Sequence, residues 1–354
     1  FAQALTFQNA LAIAVKETPV LRANAAQVDA ARAAVMPAGE LPDPKLVLGI
    51  NNLPVQGQDR YSLNSEPMTM QTIGIQQNVP NADKRMARTE LANGRVELAE
   101  TETRVTRLNV LRETAIAWIE RNTIERQLAL IDALARENAL FAEAVRARIA
   151  GGKGTAADSV MPRQEAAMID ERHDELTMRC RKAIAGLVRW VGAEGRSPLT
   201  GEPPEWPLSR DELTHTLHQH PELAIFAPRL KMADAEIAEA RAAKRPDWDV
   251  DLAYQRRAPE FGDMMSIQIR FDLPIFASSR QDPQIAARQA ERSAIDAEWE
   301  ATLREHRAML DADWAEYTRL ASSVKRQRET MLPLAEEKVR LITAAWRGGG
   351  ATST

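Results

Sequence analysis

Two periods alternate along this chain. From Gln284 to Trp346 apolar residues return every seven positions, at Leu303, Leu310, Tyr317, Val324 and Met331, among mostly Ala, Glu, Arg and Gln. That is the spacing of a coiled-coil seam built from good helix formers. It predicts one unbroken helix. About 60 residues at 1.5 Å rise give a rod of roughly 90–100 Å, which must pack against something equally long. Met86 to Ile149 matches it in length and composition, with Leu91, Leu98 and Val105 at the same spacing.

The second period is two. In Lys45–Asn52, Leu46, Leu48 and Ile50 alternate with Lys45, Val47 and Gly49; in Met70–Val79, Ile73, Ile75 and Val79 alternate with Thr72, Gly74, Gln76 and Asn78. Further on, Trp248, Val250, Leu252 and Tyr254 alternate with Asp247, Asp249, Asp251 and Ala253. Ile267, Ile269, Phe271 and Leu273 alternate with Ser266, Gln268, Arg270 and Asp272. These are strands. One architecture is a soluble antiparallel sheet with one wet face. The other is a membrane barrel with its apolar side to lipid and its polar side to a watery lumen. The sequence leaves both open, but four strands cannot seal a barrel in lipid, so the second requires several copies of the chain.

The order of these elements repeats. A helical stretch from Phe7 to Val35 is interrupted at Pro19 and stopped by Pro42 and Pro44. The strand pair and the long helix follow, then Gly151-Gly152-Lys153-Gly154 and a return helix to Val191 in which Pro162 predicts a kink. After a Pro-rich stretch, a helix over Asp211–Ala243, a second strand pair and the second long helix follow in the same order. Pro221-Glu222-Leu223 answers Pro19-Val20-Leu21, and Leu273-Pro274 answers Val79-Pro80. A duplicated unit explains this layout. The expected division is a first repeat over 1–192 (strands 44–53 and 70–79, hairpin 84–192), a linker over 193–208, and a second repeat over 209–354 (strands 246–256 and 264–273, long helix 282–347). On this alignment a second return helix belongs after Thr354, and the start at Phe1 suggests a processed or trimmed N-terminus.

Composition sharpens the picture in a few places. The chain is 44% hydrophobic but only 5% aromatic, which suits closely packed long helices more than a thick globular core. A net charge of -4 with no basic patch weighs against nucleic acid. The single cysteine, Cys180, excludes an intrachain disulfide and a cysteine metal cluster. No apolar run is long enough for a membrane-spanning helix.

The layout, twice over, resembles the TolC-type outer-membrane efflux family across essentially the whole chain. The matching segments include Asn78-Val79-Pro80-Asn81-Ala82-Asp83-Lys84-Arg85 and Asp272-Leu273-Pro274-Ile275-Phe276, where such chains pass from strand to long helix. The stretch from Pro67-Met68-Thr69-Met70 through Arg85 is most like the outer-membrane components of heavy-metal RND efflux systems. The resemblance implies a mainly α protein with a membrane β-barrel: a homotrimer whose chains give four strands each to a twelve-stranded barrel and whose helical hairpins form a periplasmic tunnel. It implies a passive duct in outer-membrane lipid, with no enzymatic activity and no cofactor. The partners implied are a periplasmic adaptor and an inner-membrane RND pump. It also places a gate at the hairpin tips, where Asp158 matches an acidic position and Trp346 a tyrosine position. Ala351 stands where an arginine can occur, so Arg148 or Arg347 is the candidate substitute. A plainer reading makes Asp158 an acid favoured by a helix N-terminus.

Other candidates are weaker. Asp247, Asp249, Asp251 and Asp272, offset by Arg270, would line the lumen with acid and favour cations through their field. Met68, Met70 and Met264 share the lumen parity, and thioethers suit soft Cu(I) or Ag(I), although loosely packed Met is commoner than ligating Met. His215, His218 and His220 lack a partner in sequence that would complete a metal site and read as a solvated helix end. Glu212 and His215 form a single Glu-x-x-His, short of a di-iron set. The glycines at 151–154 lack the strand and Ser/Thr of a phosphate loop. The competing functions are a periplasmic adaptor, which the tandem duplication disfavours, a soluble coiled-coil scaffold, and the same duct serving drugs or secreted protein.

Overall fold

The computed structural model describes residues 4–347, with the side chains of Trp346 and Arg347 outside that description. Helix α1 (Phe7–Glu17) starts where the Thr6 hydroxyl accepts the Asn9 N–H at 3.1 Å. Helix α2 (Pro19–Ala33) opens on Pro19, a first position where the missing N–H has no intrahelical partner to lose. A short α3 (Val35–Gly39) ends before the two prolines and leads into β1 (Lys45–Asn51) and β2 (Met70–Val79). Helix α4 (Ala82–Ala150) is capped by Asn81, whose side chain accepts the Lys84 N–H at 2.9 Å. Its 69 residues make a rod of about 100 Å. Helix α5 (Val160–Val191) returns alongside it. Pro162 leaves α5 unbroken, because it falls in the first turn, where its N–H would be unpaired anyway.

The second half departs from expectation in two places, each time at proline. The helix expected over Asp211–Ala243 is broken into α6 (Arg210–Thr216), α7 (Pro221–Ala224) and α8 (Phe226–Ala242). Pro221 and Pro228 each lack the N–H that would continue the ladder. After β3 (Trp248–Arg256) and β4 (Met264–Phe271), the second long helix runs as α9 (Gln281–Arg326) and α10 (Leu332–Arg347). The expected unbroken helix holds as a rod, but Gln327–Met331 forms a π turn. Pro333 has no N–H for the Glu329 carbonyl, and the widened turn absorbs the mismatch. Leu303 and Leu310 of the heptad seam are half-buried, whereas Tyr317, Val324 and Met331 are exposed in this chain.

The core lies halfway along the first hairpin. There α1 packs across α4 and α5, burying Phe7, Ala10, Val110, Trp118, Leu187 and Val191. Phe7 meets the Trp118 ring edge-on at 5.5 Å, and the Trp118 indole N–H donates to the Leu5 carbonyl at 3.2 Å. The stretch expected to be a linker is tied to this core. Leu199 pairs with Leu5, and the buried Arg121 donates from Nη1 to the Gly195 carbonyl at 2.7 Å. Gly195 lies so close to α5 that a Cβ there would stand 2.7 Å from the Val188 nitrogen. Among the described residues, no helix is long and apolar enough to cross a membrane.

Candidate functional site

The four strands form one antiparallel sheet in the order β1-β2-β3-β4, so the two strand pairs meet edge to edge at β2 and β3. The register puts Ile75 beside Leu252 and Leu252 beside Ile267, and the alternation sorts the residues of each strand onto two faces. One face carries Leu46, Leu48, Ile73, Leu252, Ile267 and Phe271, all exposed, with Ile267 at 69%. Among the described residues, no helix covers this apolar surface.

The opposite face is polar. Asp249 accepts from the Asn78 amide at 3.0 Å, and Arg270 pairs with Asp251 at 2.8 Å. Gly74 sits on this face against Ala253, where a Cβ would come within 2.8 Å of the Leu252 carbonyl oxygen. Within the strands, Asp249 and Asp251 are balanced by Arg270 and by Lys45, which lies opposite Gln76 on the same face. The face expected to be acidic, offset by Arg270, is therefore close to neutral within the strands, with Asp272 just past β4.

Asp247 shares that parity but serves another purpose. It precedes β3, and its carboxylate accepts the Asn81 backbone N–H at 2.9 Å and the Asn81 amide at 3.0 Å. The Lys84 ammonium completes the cluster. Asp247 thus fastens the root of the second strand pair to the N-terminus of α4, away from the open face. Burial raises its carboxyl, but Lys84 and the Asn81 donors outweigh burial and hold it below the usual range.

The methionines do not converge. Met70 and Met264 both fall on the polar face but belong to β2 and β4, with β3 between them and a two-residue stagger, their Cα atoms about 12 Å apart at ordinary strand spacing. Met68 precedes β2 and is exposed.

At the far end of the first hairpin, the Asp158 carboxylate accepts the Thr155 N–H at 2.8 Å, and the Arg148 Nε donates to the Lys153 carbonyl at 2.8 Å. Two of the four expected gate residues, Asp158 and Arg148, thus lie on one tip and brace its turn. Trp346 and Arg347 fall at the end of α10, and their side chains lie outside the described residues. Sequence reasoning missed one grouping. His215 and His218 are exposed as expected, but His220 turns inward towards His306 of α9, with ring centroids 4.9 Å apart, and Glu222 joins them.

Comparison with known proteins gives this geometry its context. The chain is 23% identical over 353 residues to the cobalt-zinc-cadmium resistance protein CzcC of Cupriavidus metallidurans, spanning 98% of this chain and 80% of that one. Its fold superposes on that of a membrane protein from Pseudomonas aeruginosa with a TM-score of 0.79, at 18% identity, over 98% of this chain and 84% of that one. For the channel-forming CusC the TM-score is 0.77, at 14% identity, over 98% and 83%. Residues 10–192, more than half of the chain, match the family described as outer membrane efflux protein. The chain belongs to the outer membrane efflux protein family.

Proposed function

We propose that this protein is one subunit of a homotrimeric duct that carries heavy-metal cations through the periplasm and across the outer membrane, together with a periplasmic adaptor and an inner-membrane RND pump. The observation that carries this reading is the two-faced sheet. Among the described residues its apolar side is bare, its polar side is nearly neutral, and the outer edges of β1 and β4 are unpaired. In lipid each unpaired edge costs several kcal/mol per exposed backbone group. Copies that join β4 of one chain to β1 of the next remove the edges and place the apolar face against lipid. The rod of α4, about 100 Å long, is a suitable length for a tunnel below such a barrel. The heavy-metal assignment is supported by the likeness to CzcC along nearly the whole chain.

The hairpin tip is the proposed gate. Asp158 and Arg148 stand on it, and Trp346 and Arg347 at the end of α10 are their proposed counterparts from the second hairpin. The channel reading is tested by extracting the protein from outer membrane with detergent and weighing it by light scattering. A trimer is expected, and a water-soluble monomer would overturn it. The cargo reading is tested by gene deletion. Sensitivity to Co, Zn or Cd should rise, and a rise confined to organic drugs would reassign the cargo.

A further inference from the structure

Helices α8 and α9 are held side by side by ion pairs: Arg288 to Glu236 at 3.2 Å, Arg292 to Asp234 at 2.7 Å and Arg229 to Glu298 at 2.8 Å. Further along α9, Arg210 of α6 pairs with Asp311 at 2.7 Å. Between them the chemistry changes. Where the others use arginine, His306 faces Glu222 at 3.2 Å, and a second imidazole, His220, stands against His306. His220 caps α7, but as a replacement for an arginine rung two adjacent imidazoles are a poor choice, because they repel when both are protonated.

We propose that His220, Glu222 and His306 form a binding site for a borderline divalent cation, Zn(II) or Co(II), that clamps α7 onto the long helix α9. Two imidazoles and one carboxylate are a donor set suited to zinc, with a fourth position left to water. Bonds of about 2.0–2.1 Å at tetrahedral angles put neighbouring ligand atoms about 3.3 Å apart. The His306 Nε2 and Glu222 Oε2 atoms, at 3.2 Å, already stand at that spacing. All three ligand atoms lie within 4.8 Å of one another, so the closure needed is a small movement.

That movement belongs to His220. Its Nδ1 accepts the Glu222 N–H at 3.4 Å, a bond longer than the usual range and cheaply given up. Arg112, the cation facing His220 from α4, is itself engaged by Glu113 at 3.0 Å. The site joins residues on two elements far apart in sequence, and an ion there ties the broken helix before α8 to α9. It is independent of the cargo reading, since a duct for any solute could hold it.

The test uses the full chain, stripped of metal in detergent and titrated with ZnCl2 by calorimetry, with CoCl2 followed by visible absorption. One ion per chain is expected, with tetrahedral Co(II) bands and a melting temperature that rises with zinc concentration. Glu222→Gln preserves the size of the side chain and His220→Asn preserves a capping group. Each should weaken binding by at least about tenfold, the low end of what even an outer-shell change costs a metal site. His215→Gln and His218→Gln should bind as the parent does. Stoichiometric binding untouched by Glu222→Gln and His220→Asn, or no binding of either metal, overturns the proposal.

Discussion

Asn81 and Asp247 lie 166 positions apart, yet two hydrogen bonds of 2.9 and 3.0 Å join them where the strands meet the long helix. Asn81 also caps α4, so one residue fixes the start of the rod and the root of the second strand pair. Asp247→Asn should lower stability by about 3 kcal/mol, the lower end for stripping a partner from a largely buried ion pair, here Lys84. Because the folded carboxyl sits below its ordinary value, the stabilisation is complete above about pH 4 and fades as pH falls through the folded value. Melting curves should therefore separate parent and variant at neutral pH and converge in acid. A gap that persists at low pH would mean that the charge is not what Asp247 contributes.

Arg121 offers a second test of how the chain is braced. Its buried guanidinium binds the Gly195 carbonyl at 2.7 Å and Glu125 at 2.7 Å. Arg121→Met keeps the stem but leaves that carbonyl without its donor, and should cost about 2–3 kcal/mol, as for a hydrogen bond to a charged group. Limited proteolysis should then cut near 195–208 first. Unchanged protection would show that the bridge between Leu5 and Leu199 suffices by itself.

The elements that could be read from the sequence are those whose signal is periodic and local. The alternation of Ile73, Ile75, Leu252 and Ile267 gave the strands and their faces, since a period of two survives whatever the partner strand is. Pro221 and Pro333 lie at interruptions that the reading of continuous helices passed over, because the π turn and the break depend on how the neighbouring backbone absorbs a missing donor. What could not be read were pairings across the fold. Lys45 of β1 neutralises a face whose acids lie on β3, and Asp247 takes its partners from the start of α4. His306 is isolated in sequence, and only the alignment of α9 against α7 brings it to His220. The apparent linker was read from its prolines and glycines, which do not reveal that Arg121 grips it.

The charge balance of the polar face predicts selectivity. Arg270→Gln removes the partner of Asp251 and leaves the strand residues of that face net negative. In planar bilayers under a salt gradient, the reversal potential should shift towards cations. Lys45→Gln should move it in the same direction. Arg256→Gln should not, because Arg256 lies opposite Gln71 on the parity of the apolar face. A shift of equal size in all three would point to a general surface effect and against a polar lumen.

The hairpin tip allows charge and capping to be separated at one residue. The Asp158 carboxylate accepts the Thr155 N–H at 2.8 Å, so Asp158→Ala removes both a negative charge and a cap. Lost capping alone is worth about 0.5–2 kcal/mol and would loosen the turn. Asp158→Asn retains an oxygen that can accept the same N–H and removes only the charge. If the acid holds the tips together electrostatically, both variants should raise single-channel conductance or open probability. If it merely caps the turn, Asp158→Asn should conduct like the parent while Asp158→Ala differs. The expected result is increased conductance in Asp158→Asn.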